Sequence, residues 1–211
     1  MGKRENQALG RTIETKCLKP NSGIGKRGSR TLGIIKAEDS LKLNIGSGRK
    51  PYPDFVNIDK APLPETDLVW NLEKTPIPFA ENSVEEVRAE HVLEHIWNYI
   101  PLIEDLWRVC KPGARIYIEV PYFKYEGAFR DPTHCHFFSE YSFEYFSKGY
   151  EYAYYSNARF KVKEIKLKTT SKTRIKNLHK RIVNYIPFKK LLNIFFWNLY
   201  TEITYNLEVV K

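Results

Sequence analysis

Cysteine is scarce in this 211-residue chain. Cys17, Cys110 and Cys135 are widely spaced and odd in number. That excludes a disulfide framework and points to a reducing compartment, so a cytoplasmic location is expected. Long apolar runs are missing as well, and no stretch is long enough to span a bilayer. The first residues are polar and basic and lack the apolar core of a secretory signal. There is no internal repeat.

What is present is an ordinary globular composition, 42% hydrophobic and 28% charged, with a heavy 14% of aromatics. The length suits one sizeable core with an appendage. The net charge of +9 is unevenly spread. Residues 1–40 hold nine basic against four acidic residues, 41–160 thirteen against eighteen, and 161–211 twelve against three. An acidic middle is thus flanked by two basic ends. Basic ends favour an anionic partner such as RNA or a membrane surface. A solvated tail and a solvated helix face explain them equally simply.

Residues 1–40, with "KPNSGIGKRGSR", have no sustained period and read as a basic, flexible arm. From Leu41 the chain becomes periodic. "LKLNIG", "DFVNID", "TDLVWNL", "SVEEVRAEHV", "GARIYIEVPY", "RFKVKEIKLKT" and "EITYNLEVVK" read as seven strands in order. Between the fourth and fifth, Ile103, Leu106, Trp107 and Cys110 recur at helical spacing, closed by Pro112 and Gly113. Strands joined by single crossovers imply a mostly parallel α/β sheet with helices on both faces. Ligands of such sheets bind at the carboxyl ends of the strands.

After the first strand come Gly46, Ser47 and Gly48. A dinucleotide fingerprint would need a third glycine where Pro51 stands, and an acidic residue later than Asp59. The connector also holds Pro51 and Pro53, leaving no room for a full helix. A pyrophosphate is held by the positive end of that helix, so NAD or ATP would bind poorly. A ligand with adenine and ribose but no phosphate would lose little. Asp59 suits ribose hydroxyls because a carboxylate accepts two hydrogen bonds. Taken alone, the glycines are equally an ordinary tight turn.

"LNIGSGRKPYPDFVNIDK", "NLEKTPIPFAENSVEEVRAEHVLEHI" and "LIEDLWRVCKPGARIYIEVPYF" together resemble the class I S-adenosylmethionine-dependent methyltransferases. The resemblance is strongest to the small, type 11-like branch with a shortened first crossover. It runs from Leu41 to about Phe123, more weakly through "DPTHCHFFSEYSFEYF", and leaves out residues 1–40. It implies a Rossmann-like, mostly parallel seven-stranded sheet with the last strand antiparallel, and S-adenosylmethionine as cofactor. Ile45, Gly46, Ser47 and Gly48 would pass the methionine part, Asp59 would hold the ribose, and Asn71 and Leu72 would border the adenine. Many relatives have aspartate at the place of Asn71. His91 would lie near the transferred methyl.

His91, Glu94 and His95 also spell H-x-x-E-H, a zinc-peptidase pattern. It requires one long helix, which the strand character of "SVEEVRAEHV" opposes, and it leaves Gly46, Gly48 and Asp59 unexplained. Asp131, His134, Cys135 and His136 cluster after the fifth strand. Adjacent ligands in one loop fit tetrahedral zinc poorly, so no metal is expected. Substrate contact and proton handling are the alternative, set against a loop whose histidines bond to backbone. His91 and His134 are therefore the expected catalytic groups, and Tyr122, Asp131 and His136 the expected substrate contacts.

The aromatic segment 122–158 is expected to line the substrate site in part and to form core in part. A helical insertion is expected over 172–201, where "FKKLLNIFFWNLY" is apolar nearly all round and follows five basic residues. It reads as a cap on the sheet edge or as a membrane-surface contact, which would make the protein peripheral to a membrane. No N-P-P-Y base-flipping signature follows the fourth strand, so a small, glycan or lipid-linked acceptor is favoured. An RNA methyltransferase, or a non-catalytic RNA- or partner-binding module on the same fold, is the alternative.

Overall fold

The computed structural model describes residues 41–169 and 188–211. The basic arm 1–40 and most of the expected helical insertion lie outside the described residues. Seven strands form one sheet: β1 (Leu41–Ile45), β2 (Val56–Asp59), β3 (Leu68–Val69), β4 (Val84–Glu90), β5 (Cys110–Pro121), β6 (Phe160–Lys168) and β7 (Glu202–Val209). Their spatial order is β3-β2-β1-β4-β5-β7-β6. The first five run parallel, and β7 inserts antiparallel between β5 and β6. The expected α/β sheet with an antiparallel last strand is therefore present.

Alternation along the strands sorts the sheet into two unlike faces. One row across it is apolar: Ile58, Ile45, Ala89, Ile118 and Tyr205 are register partners in turn. Helix α1 (Tyr99–Val109) buries Leu102, Ile103 and Leu106 in the same core, so the apolar spacing of that segment was a helix face. It ends at Val109, earlier than Pro112 and Gly113 suggested, because β5 already begins at Cys110. Inside α1, Asp105 accepts from Ile77 N (2.5 Å) and Arg108 Nε (2.6 Å), while Arg108 donates to Phe79 O and Ile77 O. This ties the loop before β4 to the helix.

The adjacent row on the opposite face is polar: Asn57, Asn44, Arg88, Tyr117 and Asn206. Here the short connector 46–55, rather than a helix, lies against the sheet. Asn44 Nδ2 donates to Lys50 O and Asn57 Oδ1. The Arg88 guanidinium sits between the rings of Tyr52 and Tyr117, 4.5 Å from each centroid. Glu90 accepts from both Arg88 and Tyr52. A doubly covered parallel sheet reads as continuous apolar runs, whereas β4 and β5 alternate. Among the described residues α1 is the one helix longer than two turns; α2 (Gly127–Arg130) and α3 (Lys189–Phe195) are short.

Candidate functional site

The carboxyl ends of β1, β2 and β4 meet at Gly46. Its φ is +64°, and a Cβ there would stand 2.4 Å from Val92 Cγ2. Only glycine admits so close an approach of the turn after β4. Gly48 differs: its φ is +51°, but a Cβ would meet nothing within 4 Å, so open space lies above it. Gly48 N donates to Asp59 Oδ2 at 2.9 Å, and Ala61 N donates to Oδ1 at 2.8 Å. Each carboxylate oxygen keeps a second lone pair for a ligand. Ser47 Oγ is buried and has no hydrogen-bond partner. An orphaned hydroxyl, an open glycine and a fixed carboxylate together fit an adenosine-bearing ligand that needs polar partners here. Leu72 is buried beyond β3, and the exposed Asn71 uses Oδ1 to accept from Glu73 N, with one lone pair left over.

The H-x-x-E-H segment is not a long helix. Leu93–His95 is a single 3-10 turn, and His91 lies before it at φ +52°. The two histidines accordingly face different partners, which removes the peptidase arrangement. His91 N donates to Glu119 O, and its ring stands amid three carboxylates: Glu94 (3.4 Å), Glu202 (3.7 Å) and Glu119 (3.9 Å). Contact with Glu94, aided by the charges of Glu202 and Glu119, outweighs burial and holds His91 above the usual histidine value. Burial pushes the Glu119 carboxyl up, but hydrogen bonds from Lys168 and Tyr117 overcome this and hold it below the usual value.

The loop after β5 docks on this turn: Cys135 N and His136 N both donate to Glu94 O. Asp131 is exposed and is held below the usual aspartate value by the Thr133 hydroxyl and then the Thr133 N–H. His134 is nearly buried, with Nδ1 2.8 Å from Ala128 O. His136 is half-buried; its Nε2 is enclosed without a hydrogen-bond partner beside Tyr99. Tyr122 lies in the core rather than on an open surface. It is 1% exposed, and its hydroxyl bonds to Glu140 and Asn193. Its expected substrate contact is therefore not available in this arrangement.

The structure brings together Ile45, Gly46, Ser47, Gly48 and Asp59, and places His91 at the end of β4. Beside His91 it adds Glu119, Glu202 and Lys168, which the strand ends alone did not point to. Glu119 alternates with Tyr117 on the polar face, a signal present in β5. Glu202 arrives only through the insertion of β7, which pairs it with Pro121. A surface groove runs elsewhere, beside Glu144, Lys148, Arg159 and Ile165, and shares no residue with the glycine turn.

No protein-family model matches the sequence, and no curated protein matches it. Solved structures do match in shape. An S-adenosylmethionine-dependent methyltransferase from Archaeoglobus fulgidus aligns with a TM-score of 0.55 at 13% identity, over 82% of this chain and 87% of that one. The YcgJ protein of Bacillus subtilis aligns at 0.52 and 12%, over 83% and 94%. SpnF, a (4+2)-cyclase, aligns at 0.51 and 12%, over 84% and 77%. The chain has the fold of the class I S-adenosylmethionine-dependent methyltransferases. SpnF resembles it as well as the others do, so the chemistry has to be argued from the site.

Proposed function

We propose that the chain binds S-adenosylmethionine and transfers its methyl group to an oxygen or nitrogen of a saccharide or lipid-linked acceptor. The observation that carries this reading is the cradle at Gly48: open space, the orphaned Ser47 Oγ, and an Asp59 carboxylate with lone pairs to spare. Ile45 to Gly48 would hold the methionine portion, Asp59 the ribose, and Asn71 with Leu72 the adenine. The cofactor, when bound, supplies a methyl group on a good leaving group. The chain's own part is alignment and exclusion of water. His91, at the end of β4, receives the proton of a hydroxyl or ammonium acceptor. Asp131 and His136 border the acceptor side.

The acceptor class rests on the aromatic surface next to that loop. Phe129 and Phe137 are exposed and stacked, with centroids 4.4 Å apart at 20°. Such faces suit the apolar side of a sugar ring. Trp197 lies 6.2 Å from Phe129, and Leu191, Ile194, Phe195 and Phe196 are also exposed. This apolar extension supports a lipid tail on the acceptor, and the basic composition of residues 172–181 in the sequence suits a phosphate link or an anionic membrane surface. The test is transfer of radiolabelled methyl to glycan, lipid-linked saccharide and RNA fractions. Label in either saccharide fraction is expected. Label in RNA alone would overturn the acceptor class, and no cofactor binding at about millimolar concentration would overturn the activity.

A further inference from the structure

We propose that Glu94, His95 and His134 bind one divalent transition-metal ion, of the zinc or ferrous class. One donor atom from each lies within 4.8 Å of those of the other two. They come from two segments, the turn after β4 and the loop after α2, which the backbone bonds at Glu94 O hold together.

The first support is Glu94. Its side chain is 2% exposed, and neither carboxylate oxygen has a hydrogen-bond partner. A buried carboxylate without hydrogen bonds is unfavourable. Its main chain is held in place, because its carbonyl accepts from Cys135 and His136 on the docked loop. The nearest cationic candidate is His91 Nδ1 at 3.4 Å, which Glu202 and Glu119 also approach. A cation between Glu94 and the two remaining histidines would meet the carboxylate oxygen that His91 does not pair with.

The second support is the state of the two rings. The Thr133 hydroxyl donates to Asp131 Oδ1 at 2.7 Å, so its oxygen is an acceptor towards His95 Nδ1 at 2.8 Å. Ala128 O is an acceptor only, and it stands 2.8 Å from His134 Nδ1. In the neutral ring these contacts favour the Nδ1–H tautomer and leave Nε2 as the free nitrogen, which in His134 stands 4.0 Å from Asp131 Oδ2. Metal-binding histidines are oriented in this manner, the second nitrogen donating to a carbonyl or to a carboxylate-linked group. The rings meet edge to face, with centroids 4.7 Å apart.

Two imidazoles and one carboxylate suit zinc or ferrous iron, whereas calcium and magnesium prefer all-oxygen sets. Ligands about 2.0–2.2 Å from a tetrahedral ion stand about 3.3–3.6 Å apart, so binding draws the three side chains inward. Three protein ligands leave a fourth position. A shallow opening lined by Gly127, Arg130, Asp131 and His134 reaches one of the three ligands. A competing trio, His91, Glu119 and Glu202, has its donor atoms equally close. There Lys168 Nζ already sits 2.5 Å from Glu119, so a cation is in place.

The inference stands apart from the cofactor reading, since metal and S-adenosylmethionine binding are measured separately. Tag-free full-length protein is stripped with a chelator and titrated with zinc chloride by calorimetry and with cobalt chloride by visible absorption. One ion per chain is expected, with a nitrogen–oxygen type cobalt spectrum and a rise in melting temperature. Thr133→Val, which leaves all three ligands in place, is expected to weaken binding about 10- to 100-fold. His95→Ala/His134→Ala, checked for folding by circular dichroism, is expected to lose it. Glu94→Gln is expected to lose the metal-induced rise while melting no lower than the stripped parent. The absence of saturable binding by the folded parent, undiminished stoichiometry in the double variant, or a thiolate-to-cobalt band would each overturn the site.

Discussion

Asp59 Oδ2 accepts the backbone N–H of Gly48 at 2.9 Å, so the residue expected to hold a ribose also sets the shape of the glycine turn. Asp59→Ala removes a charged acceptor and frees the loop at once. Hydrogen bonds to charged groups contribute about 1.5–3 kcal/mol each, so a loss of about 10- to 100-fold in S-adenosylmethionine affinity is expected. Calorimetry on the parent and the variant checks this. Equal affinity would remove Asp59 from the site.

The two glycines of the turn should respond differently to a methyl group. Gly46→Ala places a Cβ 2.4 Å from Val92 Cγ2 and holds alanine at positive φ. Overpacking and backbone strain together are expected to destabilise by about 2–4 kcal/mol. Gly48→Ala meets no neighbour and carries the backbone term alone, about 1 kcal/mol. Denaturant midpoints of the two variants give the comparison. Val92→Ala should relieve Gly46→Ala only in part, because Val92 Cβ itself would lie 2.6 Å away.

Lys168 and Glu119 give a pH dependence of opposite sense at the two ends of the scale. Glu119 is held below its unfolded value, so its contribution is whole above roughly pH 4.3 and fades as pH falls through the folded value. Burial lowers Lys168, but the hydrogen bonds to Glu119 and Tyr117 raise it to about 12. Its contribution is whole below roughly pH 10.4 and is lost as pH rises through about 12. Lys168 is 38% exposed, so solvent screening limits the pair to about 1 kcal/mol. Lys168→Met should raise the Glu119 carboxyl and move the acid unfolding limb to higher pH. An unchanged acid limb would contradict the pairing.

Asp105 is 7% exposed and holds both the Ile77 N–H and the Arg108 guanidinium. Asp105→Ala leaves the Ile77 N–H without its partner, while Arg108 keeps its bonds to Phe79 O and Ile77 O. A loss of about 1–3 kcal/mol is expected, read from equilibrium unfolding.

Burial raises the Cys110 thiol to about 12, and Cys135 is also raised by burial. At pH 8 almost no Cys110 thiolate exists. Iodoacetamide should therefore leave Cys110 unmodified in the native protein and label it on unfolding, as mapped by peptide mass analysis. Rapid native labelling would refute its enclosure.

The strands were legible because their side chains alternate, and alternation is a local property. β3 was over-read: only Leu68–Val69 pair, since Asn71 already turns the chain by accepting from Glu73. The cradle was legible because Gly46, Gly48 and Asp59 lie within one short stretch. The carboxylates around His91 were not, because Glu202 reaches them through antiparallel pairing of the last strand. Nor could aromatic density separate Tyr122, in the core, from Phe129, on the surface: both lie in the same run of rings. The pairing of His95 with His134 depends on a loop docking by its backbone, which leaves no residue pattern.

The Arg88 stack between Tyr52 and Tyr117 bears on the order in which the molecule assembles. Parallel strands ordinarily need a connection of a dozen residues or more, but β1 and β2 are joined by residues 46–55 alone. Closing so short a loop costs little chain entropy, and it is stitched by Asn44, Asn57 and Tyr52 as it closes. The glycine turn and Asp59 are thus expected to form early, from local contacts. Of the carboxylates around His91, Glu202 arrives only with the last strand of the chain. Binding competence and catalytic competence would then be acquired at different moments, and an interrupted or destabilised molecule would be expected to keep the first and lose the second.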